Sequence, residues 1–155
     1  MTGPLELTLT ETAWAGISRH AVDAFPEECC GVILDHRGHD EVRRLTNIQS
    51  QLHALDPKSY PRDATIAYAT DFRELGAIIR EAEAAGANIK AFYHSHPNHK
   101  AYFSEEDKAA VIALAEPPYP EAAQVVISIY HRVVKEIRAY AWKMPDFVEI
   151  PLKKI

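Results

Sequence analysis

The stretch Ile89-Lys90-Ala91-Phe92-Tyr93-His94-Ser95-His96-Pro97, followed six residues later by Ser104-Glu105-Glu106-Asp107, decides how the chain is read. Ile89 to His94 is a short run of apolar and aromatic residues, the signature of a strand. Pro97 has no N–H and turns the chain away from a ladder. Side chains at i and i+2 of a strand leave the same face, so His94 and His96 present two imidazoles side by side. Ser104 opens a helix expected to run to about Ala115, before Pro117-Pro118. The loop 98–103 can return the chain so that Asp107, in the first turn of that helix, faces both rings. Two neutral imidazoles and one carboxylate are the ligand count of a catalytic zinc site whose fourth position is left for water. Zinc lowers the pKa of such a water from about 15.7 to about 7, which makes it a nucleophile at neutral pH.

A hydrolase of this kind also needs a general base. Glu27 and Glu28 lie just ahead of the apolar strand Gly31–Leu34 and are the candidates. Ser104, one helical turn before Asp107, carries a hydroxyl that could donate to a developing oxyanion. Each piece has a plainer reading. Two histidines on a strand are usually surface or packing residues, and Ser-x-x-Asp is a helix capping box, which competes with ligation by Asp107. The fixed joint spacing is what favours the metal.

Working outward, Thr10 can cap a helix to Ala24, with Trp14, Ile17, Ala21 and Phe25 on one face and Pro26 as its stop. Gly31–Asp35 and a strand through Val42 and Leu45 form a hairpin around His36-Arg37-Gly38-His39. Residues 47–64, with Pro57 and Pro61, read as a long polar loop of the kind that is often functional. Asp71 and Glu74 form a capping-box pattern for a helix to Ala85, closed by Gly86. Gln124–Tyr130 and Lys135–Trp142 are strands joined by a turn at His131-Arg132, and Phe147–Ile155 adds an extended tail. Helices alternating with strands, hairpins included, predict an α/β fold: one compact domain over 1–155, a mixed sheet with helices packed on it.

The 155 residues suffice for one buried core, and 47% hydrophobic with 25% charged residues is ordinary globular composition. Net charge −5 and the lack of a basic stripe argue against a nucleic-acid partner. No apolar run approaches the roughly 20 residues that span a bilayer, and the first ten residues lack a signal peptide's basic and apolar regions. A soluble cytoplasmic protein is expected. The adjacent Cys29 and Cys30 are poor partners for one another, which suits a reducing compartment. Cys30 is expected in the core and Cys29 on the opposite, exposed side. Tyr93 and Phe92 are expected to pack; Tyr102 and Phe103 could wall a substrate cleft or join the core; His99 is expected in solvent; His20, His36, His39, His53 and His131 receive no role.

At this point the sequence resembles the JAMM, or MPN+, zinc metalloproteases, whose pattern is an upstream Glu, then His-x-His-Pro, six residues, and Ser-x-x-Asp. His94, His96, Pro97, Ser104 and Asp107 match it without gap or substitution. Pro26-Glu27-Glu28-Cys29-Cys30-Gly31 fits the Pro-x-Glu-x-Cys-Gly of prokaryotic members in one register, which assigns Glu28 rather than Glu27. The layout matches over most of the chain. The resemblance implies a compact JAMM domain with cytidine-deaminase-like layering, one Zn2+ on His94, His96 and Asp107, Glu28 as acid/base, and Ser104 as oxyanion helper. It further implies cleavage after the C-terminal glycines of ubiquitin-like proteins. For a compact prokaryotic-type chain, that means trimming an extension or a cysteine adduct from a sulfur carrier's tail. Two alternatives stand beside it. A silent or partner-activated JAMM scaffold keeps the fold without independent activity. A non-haem iron oxygenase shares the two-His, one-carboxylate set but usually sits in an all-β barrel. A zinc deaminase lacks support, since Pro-Cys-x-x-Cys is absent.

Overall fold

The computed structural model describes residues 2–112 and 117–155. Its elements are β1 (Leu7–Leu9), α1 (Glu11–Ala24), β2 (Cys30–His36), β3 (His39–Leu45), α2 (Gln49–Leu55), α3 (Phe72–Ala85), β4 (Asn88–Pro97), α4 (Glu105–Val111), β5 (Ala123–Tyr130), β6 (Val133–Lys143), β7 (Asp146–Ile150) and β8 (Leu152–Lys154). Six strands form one sheet in the order β3-β2-β4-β5-β6-β7. Within this sheet only the β4–β5 pair among the described residues is parallel, and its crossover carries α4. This is the expected mixed sheet with helices packed on it, and not an all-β barrel. Among the described residues no helix is long and apolar enough to cross a membrane.

The alternation of each strand sends its two sets of side chains to two different helices. Cys29, Ile33, Ala91, Tyr93, Val125, Ile127 and Ile129 meet Ala13, Ile17 and Ala21 of α1. Cys30, Val32 and Leu34 meet Ile78 and Ala82 of α3 on the other face. Further along that second face Val126 and Trp142 pack with Ala101, Phe103 and Phe147. The central strand β5 is buried on both faces, which is why it reads as a continuous apolar run. Cys29 is therefore buried, contrary to the expected exposure: α1 covers the side to which it points. Both thiols are free, and burial pushes each up to about 12.

Several local expectations change. The first residues contain β1, which pairs in parallel with β8 as a separate two-stranded sheet. The stretch 47–64 is no uniform loop, because Gln49–Leu55 folds as α2. Asp71 does cap α3, accepting from Arg73 N, but the capping box is not closed by Glu74. The Glu74 carboxylate reaches across to Thr46, taking its backbone N–H at 2.7 Å and its hydroxyl at 2.6 Å. Two good donors on β3's end outcompete the local one. Helix α4 ends at Val111, with Ile112 extended; the rest of the span expected to reach Ala115 lies outside the described residues.

Strand β4 runs three residues past its partner. β2 stops at Cys30, paired with His94, while β4 continues beside β5 to Pro97. Ser95 N bonds toward β2's end at Cys29 O, and Asn98 N bonds toward β5 at Ile129 O. The N–H that Pro97 lacks would thus point to the side where β2 has already ended, so proline costs the ladder nothing there. Under the same strand, Gly31 lies opposite Tyr93, whose ring crosses the glycine and whose hydroxyl meets Nδ1 of buried His20 at 2.6 Å. A Cβ on residue 31 would run into that ring. Gly31→Ala is expected to lower stability by about 1–3 kcal/mol through overpacking, read as a lower urea midpoint at unchanged m-value.

Candidate metal centre

The extra length of β4 is what frees the site. Beyond Cys30, the face shared by His94 and His96 is no longer flanked by β2. The chain that leaves β2 is nevertheless held close. Ser95 N donates to Cys29 O at 3.1 Å, and Cys29 N donates to Ser95 Oγ at 2.8 Å. Glu28 is the next residue outward, and by alternation it lies on the face of Cys30, the same face as the two imidazoles.

The loop 98–103 is pinned along its length. Asn98 N bonds Ile129 O, Ser128 Oγ donates to His99 O at 2.5 Å, Ala101 N donates to Glu136 at 3.2 Å, and Tyr140 Oη donates to Ala101 O at 2.6 Å. Strands β5 and β6 thereby deliver Ser104 to the start of α4. There the capping box is closed: Ser104 Oγ accepts Asp107 N at 3.0 Å, and Asp107 Oδ2 accepts Ser104 N at 3.1 Å. The same Oδ2 lies 3.1 Å from His94 Nε2 and 3.1 Å from His96 Nε2. The two readings of Ser-x-x-Asp are therefore compatible. The cap fixes the carboxylate's rotamer, and the oxygen it fixes faces the histidines.

The two Nε2 atoms are also 3.1 Å apart, so the three atoms form a near-equilateral triangle. Ligand atoms around a tetrahedral zinc with bonds of about 2.0–2.1 Å lie about 3.3 Å from one another. The donor set fits as well as the spacing. His96 Nδ1 is 2.8 Å from Lys100 O, which fixes that nitrogen as the N–H donor and leaves the Nε2 lone pair toward the triangle. In the neutral ring that lone pair faces the Asp107 carboxylate, an arrangement relieved by a proton on Nε2 or by a cation between them. His94, His96 and Asp107 are all buried and form a group that could hold a metal ion.

Electrostatics support the same picture. Burial alone would raise Asp107, but the two imidazoles outweigh it and hold the carboxyl well below the usual range. Burial dominates at His94 and lowers it. At His96 burial is outweighed by the hydrogen bond and charge of Asp107 and by the Lys100 carbonyl, which raise it. Glu28 separates cleanly from Glu27. Glu27 is exposed, whereas Glu28 is only 7% exposed and its Oε1 has no hydrogen-bond partner among the described residues. Burial lifts the Glu28 carboxyl from 4.5 to about 8, against the opposing pull of His96. A buried carboxyl with an unsatisfied oxygen and a raised pKa near ligand-type side chains is a candidate functional group.

The structure adds residues that the sequence did not single out. Tyr68 stacks on His94 with centroids 4.5 Å apart and planes at 24°. Asn47 organises the segment around it: Nδ2 donates to Glu28 O at 2.9 Å and Ala67 O at 3.1 Å, and Oδ1 accepts Gln49 N and Ala69 N, each at 3.0 Å. Neither residue has motif spacing; the one hint was the length of the polar stretch. Of the two aromatics before Ser104, Phe103 belongs to the core and Tyr102, 52% exposed, stands edge-on to His96 at 5.3 Å. His99 is exposed, as expected.

Comparison with known proteins matches this architecture. A protein in solution from Desulfitobacterium hafniense superposes with TM-score 0.72 at 21% identity, covering 96% of this chain and 92% of that one. A JAB1/MPN domain protein from Archaeoglobus fulgidus gives TM-score 0.58 at 14% identity, covering 98% of this chain and 100% of that one. A structure described as JAMM, a metalloprotease-like zinc site in the proteasome and signalosome, gives TM-score 0.54 at 12% identity over 98% of this chain and 99% of that one. At such identities the likeness is one of fold. No curated protein matches the sequence. The family model for prokaryotic homologs of the JAB domain matches residues 10–143, a span that takes in Glu28, both histidines and Asp107. The chain belongs to the prokaryotic JAB-domain family.

Proposed function

We propose that the protein is a zinc-dependent peptidase or isopeptidase that cleaves after the C-terminal Gly-Gly of a ubiquitin-like protein. The favoured substrate is a prokaryotic sulfur carrier, from whose tail an extension or a cysteine adduct is removed. The observation that carries the reading is the triangle of His94 Nε2, His96 Nε2 and Asp107 Oδ2 with the unpartnered Glu28 Oε1 beside it. His94, His96 and Asp107 would hold the zinc. When bound it supplies Lewis acidity and activation of water at neutral pH.

The chain's own groups account for the proton movements. Glu28 Oε1 takes a proton from the attacking water and returns it to the leaving amine. A carboxyl near 8 in the metal-free protein is lowered by a nearby cation toward the working range of such a shuttle. The Ser104 hydroxyl accepts from Asp107 N, which leaves its hydrogen free to donate to the oxygen of the carbonyl under attack. Tyr68 and Tyr102 crowd the two imidazoles, which supports residues without a Cβ, such as glycine, at the cleavage point.

Metal content by elemental analysis is the first test: about one zinc per chain in protein purified without chelator, lost in His96→Ala. Iron in its place would favour the oxygenase reading. No metal, even after zinc is added back, would leave a JAB-shaped binding module. Glu28→Gln should keep the zinc and lose about 100-fold or more in hydrolysis of a Gly-Gly-extended tail; undiminished turnover removes Glu28 as the base. The same variant tests the electrostatics without metal. Because folding raises the Glu28 pKa from 4.5 to about 8, the folded chain keeps a proton that the unfolded chain has lost across that window. Glu28's own contribution to the stability of the metal-free protein should therefore fall as pH rises from 4.5 through 8, opposed below about 6.5 by His20 and His94, whose pKa values burial lowers. Glu28→Gln should match the wild type near pH 4 and be more stable by about 1–3 kcal/mol above pH 8, measured by urea unfolding in chelator.

A further inference from the structure

The peptide group that joins Lys100 to Ala101 is held at both ends. Its carbonyl, Lys100 O, takes the N–H of His96 Nδ1 at 2.8 Å. Its N–H, on Ala101, donates to Glu136 Oε1 at 3.2 Å. A peptide unit is a rigid plane with its C=O and N–H on opposite sides, so the two bonds are not independent. They form one chain, from the imidazole through the peptide to a carboxylate on β6. Ala101, at its middle, is buried.

The carboxylate end is prepared for this. Glu136 leaves β6 on the face opposite Ile137 and Ala139, which pack toward the core under α1. Arg138 Nε holds Glu136 Oε2 at 3.1 Å, and Arg138 Nη1 is itself held by both oxygens of Glu149 on β7, at 3.1 and 3.0 Å. One oxygen of Glu136 is thereby given to the guanidinium and the other to the peptide. The Ala101 N–H, ahead of Arg138, holds the carboxyl below its usual range, so the acceptor is charged at neutral pH. Tyr140, on the same face, donates its hydroxyl to Ala101 O at 2.6 Å. That bond pins the loop, but it acts on the next peptide and not on the one that faces His96. The proton shuttle does not use Glu136, which lies far along the chain from the His94–Asp107 motif.

We propose that Glu136 is a positioning residue of the metal centre: the carboxylate partner of His96, relayed through the Lys100–Ala101 peptide. This rests on the metal-centre reading and deepens it. Histidine ligands commonly hand their second N–H to a carboxylate or carbonyl, which fixes the ring and raises its basicity. Here a peptide stands between ring and carboxylate. A negative charge at the N–H end polarises the peptide, and its oxygen becomes a stronger acceptor. The imidazole N–H is drawn harder, and Nε2 offers its lone pair more readily to a cation. The same chain of bonds holds the plane of the ring.

Two substitutions separate this relay from mere pinning of the loop. Glu136→Gln keeps an acceptor for the Ala101 N–H and removes the charge. Tyr140→Phe keeps the charge and removes a pin. Zinc affinity of the full chain, read by competition with a chromophoric chelator, should fall about 10-fold in Glu136→Gln, the low end for loss of a ligand's hydrogen-bond partner. It should fall further in Glu136→Ala and stay close to the wild type in Tyr140→Phe. A second readout needs no metal. In chelator-treated protein with isotope-labelled histidine, the His96 Nδ1 proton should exchange with solvent faster in both Glu136 variants than in the wild type or Tyr140→Phe. Ring-proton exchange unchanged in Glu136→Ala, zinc affinity unchanged in Glu136→Gln, or a loss in Tyr140→Phe as large as in Glu136→Gln overturns the relay. A wild type that binds no zinc, yet protects its ring proton better than the Glu136 variants do, would instead sink the metal-centre reading and leave the relay standing.

Discussion

The double hydrogen bond between Ser95 and Cys29 is the contact on which the rest of the site depends. It occurs where β2 has run out and β4 has not. It fastens the chain leaving β2 to the sheet, and Asn47 and Ala64 then hold the Glu28 carbonyl and N–H just beyond it. With it, the last paired position and the first unpaired one are both fixed relative to the strand that carries the histidines. Ser95 faces away from the imidazoles and toward the core under α1. The residue between the two histidines thus places the carboxyl that faces them.

The second constraint is economy at one atom. Asp107 Oδ2 closes the cap of α4 and forms a corner of the His94–His96 triangle. Short helices are marginal by themselves, and α4 has seven residues. Its orientation comes from the cap at its first turn and from a connecting loop tied to β5 and β6. The buried Asp107 is tolerable because its charge has two imidazoles and a backbone N–H around it. Glu28 is the opposite case. It is buried with one oxygen unanswered, so it destabilises the metal-free fold in its ionised form and stays only as part of a larger assembly of charges.

Much of this was legible in the residues. Period-two and period-3.6 patterns located α1, α3, the β2–β3 hairpin, β4, β5 and β6, because those elements bury one face or two. The spacing from His94 to Asp107 located the triangle, because a strand end and a helix start offer few ways to bring three donors together. What escaped was decided by contacts distant in sequence. β1 is three residues long and exists through β8, far along the chain. Glu74 carries a capping-box pattern that Thr46 overrides from another element. Cys29 is buried by α1, which no local pattern near Cys29 announces. Tyr68 and Asn47 belong to no motif; a stacked ring and a four-bond amide become visible only when residues 28, 47, 67 and 94 are seen together. The assignment of Glu28 over Glu27 came from resemblance, and burial gives its physical ground.

The clasp at Asn47 has an implication for how such a chain can diversify. Asn47 and Thr70 bridge each other, and the Asn47 amide fastens both ends of the intervening stretch to the carbonyl of Glu28. A stretch closed at its base can change length at its tip at small entropic cost, since closure entropy grows only with the logarithm of length. Residues around Asp56–Tyr60, remote from the clasp, can therefore be lengthened, shortened or replaced while Glu28 and Tyr68 stay in register. The candidate metal centre and the outer tip of the stretch are mechanically decoupled within a single excursion of the chain. The tip of this excursion can thus be remodelled with the clasp and the residues it holds left untouched.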